Sequence, residues 1–353
     1  MSRATPVNHP QSKILEFDVL RSIAILLLLL HHGGIYNFSV FGFSLASLSQ
    51  FTALYLLGSF IFLSGYLSVP SLGKHSLKTF FTSRLVRIYI PYLVALALFI
   101  VLLELDMDRI DLAVHLLGAQ MVLSPKLTTP VLTLWFVGLI LVYYVIFSIP
   151  LKTIRKNGYL AVVILLVFGV AAFLRADQGL IARRFFYYYF VYAAGVLFAR
   201  TNILEKVTTS RYYLLDKIAL AVLGIALLAP FRDQIGEAVS IPLVLLINFY
   251  ILGMVLLSLS LARKLVQTRL NLSFFNVVSA SSFFAYLLHR PIWDIGLEIH
   301  RPQSITTLSL YVILIGYLVV IPVSYLLQRS YNFATDYFQN RISAGRENLH
   351  PYS

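Results

Sequence analysis

The stretch FDVLRSIAILLLLLHH, residues 17–32, decides the class of this protein. Its apolar centre has Asp18 and Arg21 at one end and His31 and His32 at the other. A membrane-spanning helix needs about 20 mostly apolar residues. Similar runs recur along a chain of 353 residues that is 59 % hydrophobic and only 12 % charged, whereas soluble domains carry about 25 % charged residues. The composition therefore predicts an integral membrane protein.

Ten apolar segments follow one another and predict an all-α, polytopic fold with about ten transmembrane helices. The segments are 17–35, 47–70, 88–104, 132–151, 158–174, 183–200, 212–230, 239–261, 274–297 and 305–328. Such long runs without alternation exclude an outer-membrane barrel, and the absence of cysteine excludes disulfides and thiol catalysis. We divide the chain into an N-terminal segment (1–14), a transmembrane domain (15–328) and a C-terminal tail (329–353).

The distribution of lysine and arginine predicts that both termini lie in the cytoplasm. With that orientation, seven of the 28 basic residues fall on the outer side: Arg109, Lys126, Arg175, Arg183, Arg184, Arg232 and Arg301. Arg21 and Arg290 lie in or at the ends of spans, which leaves nineteen of the 28 on the cytoplasmic side. This bias accounts for the net charge of +13 without any binding of nucleic acid.

Polar side chains in the first segment form a stripe along one helix face. Arg21 and His32 are eleven residues apart, which is about three helical turns, so the two side chains share a face roughly 16 Å apart. Asp18 precedes Arg21 by three residues and can pair with it. A charge within a span costs about 2.5–3.5 kcal/mol and so indicates a function. The alternative is that Arg21 reaches the membrane boundary and the histidines simply end the span.

Two further sites contribute polar groups. His289 lies about 15 residues, or roughly 22 Å, into the ninth segment, a depth comparable to that of His32. The two histidines either share a polar cavity or each bond a nearby backbone carbonyl, such as those that Pro291 frees. Arg84 and Arg87 occupy one helix face and suit a phosphate-bearing ligand, although ordinary cytoplasmic charge is the alternative reading of this pair.

These residues belong to a series of motifs that resembles the acyltransferase 3 family of membrane acyltransferases. In that family an arginine is followed, after ten intervening residues, by a histidine, as Arg21 and His32 are here. Five further stretches match family elements in order: FIFLSGYL (60–67), FFTSRLVRIYIPYL (80–93), TLWFVGLILVYY (133–144), YAAGVLFAR (192–200) and FFAYLLHRPI (283–292). The resemblance covers about residues 15–328.

The resemblance implies an enzyme of the cytoplasmic (inner) membrane that transfers an acyl group, usually acetyl, from acetyl-CoA or another acyl-CoA. The acceptor would be a hydroxyl of a surface or lipid-linked glycan. No permanently bound cofactor and no metal are expected. Carried onto this chain, the resemblance implies catalytic roles for Arg21, His32 and His289. It also implies donor binding by Arg84, Arg87, Ser64 and Tyr66, and a site shaped by Trp135, while Asp18 is assigned to substrate binding.

Several alternatives remain open from the sequence. His31 could replace His32 as the reactive histidine, although the spacing favours His32. The histidine could act as a direct base or carry the acyl group covalently. Two other classes of protein also fit ten helices with a polar stripe: a transporter or flippase of a glycan or lipid, and a structural or assembly subunit.

Overall fold

The computed structural model describes residues 14–209, 214–268 and 271–347, and these residues are mostly helical. Nearly all of the N-terminal segment, the end of the tail, and four residues of the charge distribution (Arg3, Lys13, Arg211 and Arg269) lie outside the described residues.

The helices follow the predicted segments closely. They are α1 (Leu15–His32), α2 (Ser49–Lys74), α3 (Leu77–Arg84), α4 (Ile90–Leu102), α5 (Arg109–Leu116), α6 (Gln120–Leu123), α7 (Trp135–Thr153), α8 (Asn157–Gln178), α9 (Arg183–Thr201), α10 (Ile203–Thr209), α11 (Leu215–Leu228), α12 (Ile241–Gln267), α13 (Ser273–Ile299), α14 (Ile305–Ile315) and α15 (Ile321–Glu347). A short antiparallel hairpin follows α1, with two residues in each strand: β1 (Ser39–Val40) and β2 (Phe43–Ser44).

Six of the described helices are long and apolar enough to cross a membrane. They are Leu45–Lys74, Leu77–Leu102, Trp135–Thr153, Asn157–Gln178, Ile241–Gln267 and Ile305–Tyr337. Helices α1, α9, α11 and α13 coincide with the other four predicted segments, and α1 carries the three charged residues Glu16, Asp18 and Arg21. The all-α, multi-pass class is therefore confirmed, while the count of ten spans and the orientation stay predictions.

Helix α1 lies inside the bundle, where it packs against α2, α12 and α13. The Ser22 hydroxyl donates to the Phe275 carbonyl at 2.7 Å near the start of α13, and His32 meets His289 further along the same helix. Helices α1 and α13 therefore run in the same direction. Ten alternating spans require this relation between the first and the ninth.

Burial separates the central helices from the peripheral ones. In the most apolar stretch of each helix, 61 % of the residues are buried in Leu45–Lys74 and in α12, but only 17 % in α8. Because lipid is as apolar as a protein core, an exposed apolar face is expected on a membrane helix. The central helices α1, α2 and α12 thus form the frame against which the polar residues are positioned.

Helices α2 and α9 approach each other through glycines. A Cβ atom on Gly65 would overlap the carbonyl oxygen of Tyr192, and one on Gly195 would overlap the carbonyl oxygen of Phe62. Small residues let membrane helices come close and gain van der Waals contact. This contact fixes α2, which carries Ser64, at the centre of the bundle.

Two wide turns of π-helix interrupt long helices, and each ends two residues before a proline. Leu85–Tyr89 joins α3 to α4 ahead of Pro91, and Gly316–Val320 joins α14 to α15 ahead of Pro322. Proline lacks the N–H that would continue the regular hydrogen-bond ladder, and π-turns are frequent at functional sites. The first of these turns carries Arg87.

The C-terminal tail is helical as far as Glu347. Helix α15 runs without a break from Ile321 to Glu347, so the predicted end of the transmembrane domain at residue 328 lies within a helix, and that boundary stays a prediction. Polar composition marked the end of the apolar span, but it does not end a helix.

The close approach of α2 and α9 makes a stability prediction. Replacing Gly65 with alanine forces the two backbones apart, and we expect a loss of about 1–3 kcal/mol, the usual cost of overpacking. The matched control is Gly73→Ala on the same helix, where nothing lies within 4 Å of the added Cβ. Thermal unfolding of the purified protein in detergent measures both. Equal melting temperatures for the two variants would contradict the close contact.

Candidate functional site

A cavity of about 600 Å³ opens between α1, α2, α7, α13, α15 and the wide turn that follows α3. Five of the predicted site residues line it: Asp18, Arg21, Ser64, Arg84 and Arg87. We call it the arginine cavity. Its volume lies in the usual range for small-molecule sites, about 300–1,000 Å³. Residues far apart in the sequence thus meet at one end of the bundle.

Asp18 and Arg21 are held against α13. The Ser279 hydroxyl donates to Oδ1 of Asp18 at 2.6 Å, and Nη1 of Arg21 lies 4.0 Å from the same oxygen. Asp18 is only 7 % exposed. A buried carboxylate needs such partners to offset the cost of leaving water. Asp18 therefore lies beside Arg21 at the cavity wall, with one carboxylate oxygen held by Ser279, and its assignment to substrate binding stays a prediction.

Arg84 is fixed by aromatic rings. Its guanidinium carbon lies 4.6 Å from the ring centre of Phe80 and 5.0 Å from that of Tyr144. Such cation–π contacts hold the planar group in one orientation. Nε of Arg84 is buried without a hydrogen-bond partner, and Arg87 follows one turn later in the π-helix. The pair presents donors that suit an anionic group with several oxygens.

His32 and His289 form a hydrogen-bonded pair, the histidine pair. Nδ1 of His32 lies 3.0 Å from Nε2 of His289, and the two rings are nearly parallel, at 13°, with centres 5.1 Å apart. His289 is completely buried. The prediction that the two histidines lie at one depth thus corresponds to a direct contact between distant helices.

The surroundings of His289 determine where the protons lie. Its Nδ1 lies 2.8 Å from the Tyr286 carbonyl and 3.1 Å from the Ala285 carbonyl. Carbonyl oxygens only accept, so Nδ1 carries the proton, and in a neutral ring Nε2 is then the acceptor. His32 must donate to it from Nδ1, which leaves the lone pair on Nε2 of His32. A second proton would put a charge into a buried apolar site, which is costly.

His31 occupies a different environment. Its ring packs edge-on against Tyr36 at 5.0 Å and against His32 at 5.2 Å, and its Nδ1 is buried without a partner. Adjacent residues on a helix face different directions, so only His32 faces α13. Of the two histidines, His32, which the spacing favoured, is the one that contacts His289.

An aromatic layer separates the arginine cavity from the histidine pair. Phe60, Phe136 and Tyr286 line the cavity, and the ring centres of Phe136 and Tyr286 are 5.2 Å apart. The Tyr286 hydroxyl donates to the Thr133 carbonyl, and its ring centre lies 6.2 Å from that of His289. Arg21 and His32 therefore face the same helix, α13, but belong to two layers, since the cavity lining includes Arg21 and not His32.

Comparison with known proteins identifies the family. A family model described as an acyltransferase domain matches residues 14–329, nearly the whole chain. The chain belongs to the acyltransferase 3 family. No curated protein and no solved structure matches the chain. The acyltransferase assignment thus rests on the family model and agrees with the resemblance that the motifs carried.

Two of the predicted site residues, Tyr66 and Trp135, do not line the arginine cavity. Tyr66 packs edge-on against Phe17, with ring centres 5.1 Å apart, and lines a separate cavity of about 190 Å³. Trp135 packs against Tyr188 and lies beneath the guanidinium of Arg184, 4.4 Å from the ring centre. The motifs alone do not predict the surroundings of these two side chains, because those surroundings depend on which neighbouring helices pack against α2 and α7.

The candidate site also includes residues to which the sequence did not point. Ser279 and Tyr286 lie on α13 at positions 10 and 3 before His289, and the helical period could have pointed to both. Gln328, Tyr331 and Asn332 of α15 also line the arginine cavity. They were assigned to a terminal tail or its border, where no sequence signal linked them to the site. Among the described residues, no group of three metal-ligating side chains comes together.

The position of the arginine cavity makes a labelling prediction. Ala280 lines the cavity and is exposed, and the chain has no cysteine of its own. We expect an anionic, membrane-impermeant thiol reagent to label Ala280→Cys in inside-out vesicles but not in right-side-out vesicles. The buried Ser260→Cys, at 0 % exposure, serves as the control and should react in neither. Labelling of Ala280→Cys from the outer side would overturn the predicted orientation.

Proposed function

We propose that this membrane acyltransferase moves an acyl group, in the first place acetyl, from cytoplasmic acyl-CoA to a hydroxyl of a cell-envelope or lipid-linked carbohydrate. The enzyme would act in the cytoplasmic (inner) membrane. The observation that carries the proposal is a histidine with a bare Nε2 beyond an arginine-lined cavity. Membership of the family supports acyl transfer in general. The arginine cavity supports a phosphate-bearing donor, and the histidine pair supports base catalysis.

The arginine cavity suits the charged part of coenzyme A. Arg21, Arg84 and Arg87 converge on it, and guanidinium groups bind phosphate oxygens in a bidentate manner. Coenzyme A carries its phosphates at the end opposite the thiol. Binding the phosphates at the cavity would direct the pantetheine arm past Phe136 and Tyr286 towards the histidine pair. The bulky nucleotide would stay on the cytoplasmic side.

The histidine pair suits general base catalysis. Nε2 of His32 would take the proton of the acceptor hydroxyl while its oxygen attacks the thioester carbonyl carbon. The carbon–sulfur bond then breaks, the ester forms, and the proton passes from His32 to the thiolate of coenzyme A. Such proton transfer typically contributes about 10²–10⁴-fold to the rate. His289 would act as a positioning residue, because it holds the Nδ1 proton of His32 and so keeps Nε2 bare.

A covalent route uses the same lone pair. Nε2 of His32 would attack the thioester carbonyl carbon, and the carbon–sulfur bond would break to release coenzyme A as its thiolate. The acceptor oxygen would then attack the acyl carbon, the bond to Nε2 would break, and the hydroxyl proton would pass to the thiolate. The two routes differ in one observable. Only the covalent route leaves labelled acyl group on the protein when acyl-CoA is supplied without acceptor.

Unpartnered polar atoms around the histidine pair support a hydroxyl-rich acceptor. Nδ1 of His31, Oγ1 of Thr133 and Nε1 of Trp293 are all buried without hydrogen-bond partners. The ring centre of Trp293 lies 4.9 Å from that of His289. Buried polar groups normally have partners, and a carbohydrate offers several hydroxyls that both donate and accept.

The neighbouring histidines provide the test of function. Membranes containing the protein are incubated with acetyl-CoA labelled in the acetyl group, and label is followed into glycans and glycolipids by mass spectrometry. We expect transfer by the wild-type protein and by His31→Ala, and none by His32→Ala at equal protein content. No transfer by wild type, together with movement of a glycan or lipid without coenzyme A, would favour a transporter. Retained transfer by His32→Ala would contradict the base assignment.

The positioning role of His289 makes a second prediction. His289→Leu removes the acceptor for the His32 proton, and we expect kcat to fall about 10²–10⁴-fold, the range of a lost general base. His289→Gln places an amide oxygen near the position of Nε2 and should restore part of that loss. The KM for acyl-CoA should change little in either variant, because the donor phosphates bind in another layer. Equal kcat in the leucine and glutamine variants would contradict this role.

A further inference from the structure

The C-terminal helix forms one wall of the arginine cavity. Gln328, Tyr331, Asn332, Thr335 and Asp336 all line it, on successive turns of α15. Three of these positions, 328, 332 and 336, are separated by four residues and therefore share one helix face. A segment with the composition of a terminal tail thus faces the three arginines.

Helix α15 is fixed to the wide turn that carries the arginines. The Tyr331 hydroxyl donates to the Val86 carbonyl at 2.5 Å, and Val86 lies between Arg84 and Arg87 in sequence. The Tyr331 ring also packs on Phe284 of α13, with centres 5.8 Å apart. The wall therefore has a fixed position relative to the guanidinium groups.

Two amide side chains on this wall form a recognisable pattern. The Gln328 amino group donates to the Asn332 oxygen at 2.9 Å. This bond uses one of the two N–H groups of Gln328, so the carbonyl oxygen of Gln328 stays available as an acceptor. The amino group of Asn332 and the second N–H of Gln328 stay available as donors. If both amides were turned over, the remaining oxygen and amino group would simply exchange residues. In either assignment, one amide keeps its carbonyl oxygen as an acceptor and the other keeps its amino group as a donor, and both residues line the cavity.

That pattern is complementary to the edge of adenine. Adenine offers an amino group at N6, which donates, beside a ring nitrogen, which accepts. Asparagine and glutamine read these same two groups in nucleic-acid complexes. Hypoxanthine has an oxygen in place of the N6 amino group, so it would face the carbonyl oxygen of the pair with an acceptor. The amide pair should therefore distinguish the two bases.

We propose that Gln328 and Asn332 read the adenine of the donor nucleotide, with the phosphates of that nucleotide on Arg84 and Arg87. This inference rests on the proposed acyl-CoA donor and deepens it. The carboxylates of Asp18 and Asp336 also line the cavity. Asp18 bonds Ser279 and lies beside Arg21, whereas Asp336 lies one turn beyond Asn332 and is exposed. The C-terminal helix would thus be a specificity element of the enzyme.

The test compares two nucleotides on the full-length protein in detergent. Binding of adenosine 3′,5′-bisphosphate and of inosine 3′,5′-bisphosphate is measured by calorimetry, for wild type and for Asn332→Leu. We expect wild type to bind the adenosine form about tenfold more tightly, which is at the lower end of the discrimination by a bidentate amide contact. Asn332→Leu should bind both forms equally. The matched control is Ser330→Leu, an exposed position of α15 outside the cavity lining, which should keep the wild-type preference.

The outcomes separate this inference from the proposed function. If wild type binds coenzyme A but does not distinguish the two bisphosphates, adenine reading is wrong and the donor assignment stands. If Asn332→Leu weakens both nucleotides equally and keeps the preference, the residue acts only structurally. If wild type binds neither coenzyme A nor the bisphosphates, the donor assignment and the adenine proposal fail together.

Discussion

The hydrogen bond from His32 to His289 is the constraint on which the rest of the site depends. In the apolar interior of a membrane protein, a polar group without a partner is costly, and two facing imidazoles can satisfy each other only if one donates and the other accepts. The carbonyls of Ala285 and Tyr286 fix the proton of His289. Because Nε2 of His289 then accepts a hydrogen bond, Nδ1 of His32 must carry a proton, and Nε2 of His32 stays unprotonated. A single local hydrogen-bonding pattern therefore sets both the contact between α1 and α13 and the chemical state of the proposed base.

The site is built in layers along α13. Ser279 secures Asp18 and, through it, Arg21 at the level of the arginine cavity. Tyr286 closes that cavity as part of the aromatic layer. His289 follows one turn later and meets His32. The helical period places these residues on one face, so a single helix connects the anion-binding end to the base. The separation suits a donor whose charged end and reactive end are far apart.

Much of this arrangement could be predicted from the sequence. The lengths of the apolar runs predicted the helices. The spacing of Arg21 and His32 predicted that both side chains lie on one helix face, which packs against α13. The distance of each histidine along its predicted span was enough to predict that His32 and His289 lie at the same depth in the membrane. Lateral packing could not be predicted in the same way, because apolar runs carry no information about which spans touch. Tyr66 and Trp135, which the motifs assign to the site, do not line the arginine cavity. The part of α15 after residue 328 was assigned to the tail because its polar residues resemble those of a solvent-exposed end. The aromatic layer was missed because Phe and Tyr are ordinary in a membrane core.

The proton positions of the histidine pair test the central claim most directly. Solid-state NMR of the protein in lipid, with ¹⁵N-labelled histidine, distinguishes protonated from bare ring nitrogens, and His32→Gln and His289→Gln assign the signals. We expect His289 to carry its proton on Nδ1 and His32 to carry its proton on Nδ1, with a bare Nε2 on His32. A proton on Nε2 of neutral His32, or loss of His32 without any change in the His289 signals, would contradict the pair.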